Sequence, residues 1–289
     1  MLKQIGKPLL RSRPRQITQQ LNRYWRIAAT GLSFAAFGIG GLLLRLLVFP
    51  LLNLLVRDRR RRMLIARRII RMAFRAFVEL MRGLGVLRYE MTGLERLQRK
   101  GLLILANHPT LIDTVLLMAF VDQADCIVKN ALWRNPFTHG PVRAAGYISN
   151  AQGPELIDDC INSIRAGSNL IIFPEGTRTP ADGNISFKRG AANVAVRGLC
   201  AITPAVISCH PATLSKGNKW WDVPATIPHF RVEIRQDIDL ALAIGHSASM
   251  SPSVAGTDID LNTNVASDNP TAAARQLTHY LQHYFMKES

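Results

Sequence analysis

The sequence predicts an α/β domain, a mixed and largely parallel sheet flanked by helices, preceded by a membrane-associated helical region. Three observations lead there. After residue 101, short apolar runs alternate with helix-like segments, the pattern of strand–helix units stacked into a largely parallel sheet. Residues 27–56 are apolar apart from one charge, Arg45. The basic excess is confined to the first third: residues 1–100 hold 22 Lys and Arg against 4 Asp and Glu, residues 101–289 hold 14 against 16, and the chain carries a net charge of +16. With 289 residues, 48% of them hydrophobic, the chain can bury one large core. That excludes disorder, a collagen helix and a disulfide-stapled miniature fold.

Residues 1–85 read as a basic membrane-anchoring region. The apolar run 27–56 exceeds the core of a signal peptide, and no small-residue cleavage site precedes the arginines that follow, so it is expected to be retained. As one helix it would be about 45 Å long against a hydrocarbon layer of about 30 Å. Basic residues flank both ends, from Lys3 to Arg26 and from Arg57 to Arg62, and both flanks favour the cytoplasmic side. A monotopic hairpin bent near Gly40-Gly41 or Pro50 satisfies both flanks, whereas a single span leaves one outside. From Arg57 to Gly85, Ile65, Ile69, Met72, Ala76, Leu80 and Leu84 recur at helical spacing, with Arg67, Arg71, Arg75 and Arg82 opposite. An arginine-faced helix of this kind suits an anionic lipid surface. Nucleic acid is not expected as a partner, because few aromatics alternate with the arginines.

Residues 86–244 hold the α/β domain. Strands are expected at 102–106, 124–128, 169–173, 202–209 and 230–235, and helices at 111–121, 155–166 and 190–199. The stretch 245–270, rich in Ser, Asn, Asp and Thr, reads as a mobile surface loop. The last segment, 271–289, forms a helix from Thr271 to Lys287 that packs Leu277, Leu281 and Tyr284 on the domain. Cys126, Cys160, Cys200 and Cys209 are widely spaced without a ligand cluster, so neither a metal nor disulfides are expected.

Two motifs carry chemistry. Asn107-His108-Pro109-Thr110-Leu111-Ile112-Asp113 follows an apolar strand. Pro109 suits the first position of a helix, which leaves His108 on the turn and sets Asp113 one turn in, leaning back toward it. A His–Asp pair of this kind makes a base whose tautomer is fixed by the acid. Phe173-Pro174-Glu175-Gly176-Thr177-Arg178 follows a second apolar strand. Gly176 permits a tight turn with backbone N–H groups open to an anion, and Arg178 offers a planar fork for phosphate. Sites on separate strands of such a sheet gather at the carboxyl ends of those strands.

The NHxxxxD and FPEGTR boxes, in this order, resemble those of the glycerolipid acyltransferase family over roughly residues 85–235. The resemblance implies His108 as general base with Asp113 as its partner. It implies substrate binding by Asn107, Lys129, Glu175, Gly176, Thr177, Arg178, Lys188 and Arg189. The implied reaction moves a fatty acyl group from a thioester, on acyl carrier protein or coenzyme A, to a hydroxyl of a lysophospholipid such as 1-acyl-glycerol-3-phosphate. It needs no cofactor, and it is expected at a bacterial inner membrane with the catalytic domain facing the cytoplasm. Where family members that use glycerol phosphate close the middle block with an arginine, this chain has Asn150, with Arg143 slightly earlier. Transfer to another lipid-like acceptor therefore stays open, as does a lipid hydrolase or thioesterase on the same site. The chain lacks the GxSxG elbow of a serine hydrolase.

Overall fold

Seven strands form one sheet in the computed structural model, which describes residues 13–151, 153–180, 185–249 and 269–288. They are β1 (Arg88–Thr92), β2 (Leu103–Ala106), β3 (Ala124–Val128), β4 (Ile148–Ser149), β5 (Asn169–Ile172), β6 (Ile202–His210) and β7 (His229–Ile234). Across the sheet the order is β1-β7-β6-β2-β5-β3-β4. Every neighbouring pair is parallel except β6 with β7, so the sheet is mixed and largely parallel, as the sequence predicts. Central β2 and β5 read LILA and NLII and are buried throughout, as strands covered on both faces must be. The sequence did not mark β1 or β4: β1 is the half-exposed edge segment RYEMT, and β4 has only two residues.

The helices are α1 (Arg13–Leu43), α2 (Phe49–Leu55), α3 (Arg59–Gly83), α4 (Asp113–Met118), α5 (Asn130–Arg134), α6 (His139–Ala145), α7 (Leu156–Arg165), α8 (Gly190–Gly198), α9 (Leu240–Ser249) and α10 (Pro270–Glu288). One face of the sheet, with Ile104, Ile171 and Phe230, shares a core with Ala29, Phe49, Ile70 and Met81 from α1, α2 and α3. The other face, with Leu103, Leu105 and Leu170, packs against α7, α8, α9 and α10. The boundary expected near residue 85 is thus a change of composition, not a gap in the core. Helix α9 runs through 245–249, where a loop was expected, and residues 250–268 lie outside the described residues. In α10, Leu277 and Leu281 are buried and Tyr284 packs beside them.

The N-terminal helices differ from the expected hairpin. Helix α1 passes through Gly40-Gly41 without a break, and Pro50 lies in the first turn of α2. The only interruption is a π turn, Leu44–Val48. The run 20–55 is long and apolar enough to cross a bilayer, yet one side of it is bonded to the domain. Arg26 donates to the Ala225 and Thr226 carbonyls at 2.7 Å each, Trp25 Nε1 donates to Leu84 O at 3.0 Å, and Arg45 donates to Pro136 O at 2.7 Å. The opposite side exposes Leu32, Ile39, Leu43, Leu46 and Leu54.

Helix α3 is rotated from its expected setting. Its N-cap, Asp58, accepts from Arg61 N at 2.6 Å, which satisfies one orphan donor of the first turn. The buried side holds Ala66, Ile70, Phe77 and Met81, while Met72 and Leu80 of the expected apolar face are exposed. Of the arginine stripe, Arg67 is buried against the domain, whereas Arg71, Arg75 and Arg82 stay partly exposed beside it. Arg67 pairs with Asp125 at 2.7 Å and Arg71 with Asp122 at 2.9 Å. Arg75 lies over the Phe120 ring at 4.1 Å, and Arg82 pairs with Glu79 at 2.7 Å. Acidic and aromatic side chains on the sheet side drew the helix round, which periodicity within one segment cannot reveal.

Arg67 and Asp125 are each 2% exposed. Arg67 also donates to Ala145 O and Ser168 Oγ, and Asp125 accepts from Ser163 Oγ and Cys126 N. Removing one partner strands a buried charge, so Arg67→Met alone is expected to cost about 3–5 kcal/mol in urea unfolding. The double variant Arg67→Met/Asp125→Leu should recover most of that loss. A single variant that unfolds like the parent protein would contradict the assignment.

Candidate active site

Parallel pairing of β2 with β5, Leu103↔Leu170 through Leu105↔Ile172, carries both motifs to the same end of the sheet. The chain leaves β2 at Asn107-His108 and leaves β5 at Phe173-Pro174-Glu175. The two exits are joined directly: His108 N donates to Glu175 Oε1 at 2.9 Å, and Thr179 N donates to His108 O at 2.7 Å.

Asn107, expected to bind substrate, also bonds to the sheet. Its Nδ2 donates to Ile207 O and its Oδ1 accepts from Ile207 N, both at 2.7 Å. The side-chain amide extends the β2–β6 ladder by one rung, which frees the backbone to turn away with His108. Pro109 is not the first residue of a helix, because 109–112 form a turn and α4 begins only at Asp113. The helix expected over 111–121 is shortened to Asp113–Met118.

The carboxylate itself closes that turn. Asp113 Oδ2 accepts from Thr110 N at 2.6 Å and from His108 Nδ1 at 2.9 Å, while Oδ1 accepts from Thr110 Oγ1 at 2.5 Å. The Asp113 side chain is wholly buried. Burial holds its carboxyl above the ordinary carboxylate range, and the imidazole and the Thr110 donors offset only part of that rise. With Nδ1 donating to Asp113, Nε2 of His108 carries the lone pair. The His108 ring stacks on Phe173 at 4.3 Å between centroids, which fixes its plane.

Glu175 is only 4% exposed. Its Oε1 accepts from His108 N and from Thr179 Oγ1 at 3.0 Å, but its Oε2 has no partner among the described residues. Burial raises this carboxyl above its ordinary range, opposed by the His108 and Thr179 donors. Gly176 is left-handed at φ +67°, and the Lys188 side chain lies over it, so a Cβ there would meet Lys188 Nζ at 3.0 Å. Arg178 donates through Nη1 to Leu214 O at 2.9 Å and Ser215 O at 3.0 Å. Thr177 and Arg189 are exposed at the two ends of this segment. Lys129 is exposed at the end of β3; its carbonyl accepts from Leu132 N at 2.9 Å, and its side chain makes no hydrogen bond or ion pair among the described residues. Asn150 Oδ1 accepts from Asn130 N at 3.0 Å, which fixes it to the first residue of α5, and Arg143 is exposed on α6.

The structure therefore brings together His108, Asp113, Glu175, Gly176, Arg178 and Lys188, with Asn107 beside His108 at the end of β2 and Lys129 at the end of β3. It adds Thr110, Phe173 and Thr179. Thr110 and Phe173 lie inside the two motifs, where a hydroxyl and a ring beside the reactive pair were the available signal. The Leu214 and Ser215 carbonyls had none, since any residue supplies a carbonyl.

The unpartnered Glu175 oxygen has a measurable consequence. A carboxyl raised by burial destabilises the fold once it ionises, so its cost appears as pH rises through the raised value and is absent below the usual carboxylate range. Glu175→Gln keeps an oxygen for His108 N and Thr179. It is expected to raise the unfolding midpoint at neutral pH, with the gain vanishing in acid; a gain independent of pH would contradict this.

Residues 88–208 match the protein-family model described as Acyltransferase. A 1-acyl-sn-glycerol-3-phosphate acyltransferase of Pseudomonas aeruginosa is 28% identical over 150 residues, covering 49% of this chain and 56% of that protein. One of Saccharomyces cerevisiae is 28% identical over 141 residues, 45% of each chain. The chain spans about half the length of the curated relatives it matches. The crystal structure of the 1-acyl-sn-glycerophosphate acyltransferase PlsC from Thermotoga maritima superposes with a TM-score of 0.62 at 19% identity, covering 91% of this chain and 95% of that one, a likeness of fold. The similarity to acyltransferases thus spans residues 88–208, the stretch that holds both boxes and brings them to one end of the sheet.

Proposed function

We propose that this chain is an O-acyltransferase that moves a fatty acyl group from an acyl thioester, on acyl carrier protein or coenzyme A, to a hydroxyl of a lysophospholipid such as 1-acyl-sn-glycerol-3-phosphate. The observation that carries this reading is the His108–Asp113 contact at 2.9 Å, locked by Thr110 beside the Glu175 turn. The names of the relatives, given above, support the reaction class.

In this reading Nε2 of His108 takes the proton of the acceptor hydroxyl as its oxygen attacks the thioester carbonyl. The carbon–oxygen bond forms, the carbon–sulfur bond breaks, and the thiol leaves with the proton that His108 returns. Asp113 steadies the imidazolium in between. The oxyanion is assigned to backbone N–H groups of the Glu175–Arg178 turn, with Lys129 as a supporting charge. Glu175 Oε2 is assigned to the acceptor hydroxyl. Arg178, Lys188 and Arg189 are assigned to an anionic headgroup.

Asn150 favours a second acceptor class. A neutral amide tied to Asn130 N supplies no charge for a phosphate, so lipids without a glycerophosphate headgroup are included. The exposed apolar side of α1 and α2, with exposed Arg57, Arg59, Arg60 and Arg68, supports seating on an anionic bilayer. We assign the bacterial inner membrane, catalytic domain toward the cytoplasm.

The test is mass spectrometry of products from purified protein given acyl thioesters and a panel of lysolipids. His108→Ala is expected to lower acyl transfer by about 10²–10⁴-fold with the unfolding temperature retained. Full activity in that variant would sink the mechanism. Free fatty acid formed without any acylated lipid would turn the assignment to a thioesterase.

A further inference from the structure

The loop between β6 and β7 carries Lys216, Lys219, Trp220 and Trp221. The two indoles meet edge to face, 5.3 Å between centroids, and are 43% and 45% exposed. Lys219 Nζ lies 5.3 Å from the Trp221 ring centroid. Indoles with a polar edge and a broad apolar face collect at the headgroup layer of a bilayer, and lysines favour an anionic one.

Their position matters more than their composition. The Trp220 ring lies against Gly31 of α1, where a Cβ would meet it at 3.2 Å. The next residue, Leu32, is exposed and starts the apolar side of α1, so indoles and helix form one continuous apolar surface. Both ends of the loop are fixed. Arg178 and Leu111 N bond the Leu214 carbonyl at one end, and Arg26 holds the Ala225 and Thr226 carbonyls at the other. A loop held at both ends displays its tryptophans in a set direction.

We propose that residues 216–221 are a second bilayer-insertion element, in which Trp220 and Trp221 enter the interfacial layer of an anionic membrane beside α1. The occupant is a lipid surface, because the patch continues into the exposed apolar side of α1 and is edged by lysines. This rests on the reading that the chain works at a membrane.

The experiment uses the full chain with Trp25→Phe and Trp133→Phe, which leaves Trp220 and Trp221 as its only indoles. Binding to phosphatidylcholine–phosphatidylglycerol vesicles is measured by flotation, and insertion by fluorescence quenching with phosphatidylcholine brominated in its acyl chains. The expected result is flotation with most of the emission quenched. In the parent chain, Trp220→Ser/Trp221→Ser should weaken vesicle partitioning by at least about tenfold, a floor set below full burial of two half-exposed rings, without lowering the unfolding temperature. Flotation with unquenched emission, or unchanged partitioning of the serine variant, overturns the insertion of this loop and leaves the seating of α1 intact. Failure to float overturns both.

Discussion

A single buried ion pair, Arg67 with Asp125, holds the layers of this molecule in one arrangement. Arg67 reaches from α3 to the α6 carbonyl of Ala145, to Asp125 on β3 and to Ser168 just before β5, and Asp125 is held in turn by Ser163 of α7. Helices on both faces of the sheet are therefore referred to one point. Such a pair contributes little net stability against an apolar replacement, but each charge makes any packing without the other expensive. That is a constraint on setting more than on strength, and it explains why α3 turns Arg67 inward.

The catalytic candidates depend on that setting only through the sheet. With β2 and β5 side by side and parallel, two motifs 67 residues apart leave the sheet together. Side chains then complete what the backbone stops providing. Asn107 supplies a ladder rung to β6, Asp113 closes its own turn, and Glu175 accepts from the amide of His108. Polar groups that look like a reactive cluster thus also finish the ends of strands. Nε2 of His108 and Oε2 of Glu175 stand outside this set of bonds among the described residues.

What the sequence revealed and what it hid divide along the same line. The apolar runs of β2, β3, β5 and β6, and the two boxes behind β2 and β5, were readable because each signal lies within a few neighbouring residues. The phase of α3 was not, since Arg67 counted as polar until its partner Asp125 was found far along the chain. The bonding of the Asn107 amide to Ile207 was not legible either, since an amide does not announce a partner a hundred residues away. Edge strand β1, too short of apolar residues to stand out, is defined by its pairing with β7.

The π turn at Leu44–Val48 bears on how the N-terminal segment is read. Along α1 the domain-facing positions are Arg26, Ala29, Thr30 and Ser33, and after the turn they are Phe49 and Leu52. At about 100° per residue, an uninterrupted helix would bring 48 and 51 to that side. The wider turn absorbs one residue and delays the second half by that step. A single period fitted across 20–55 averages two half-helices that are out of phase, and part of their amphipathicity cancels. Each half keeps one side toward the domain and exposes a side that is itself apolar, Leu32, Ile39 and Leu43 before the turn and Leu51, Leu54 and Leu55 after it.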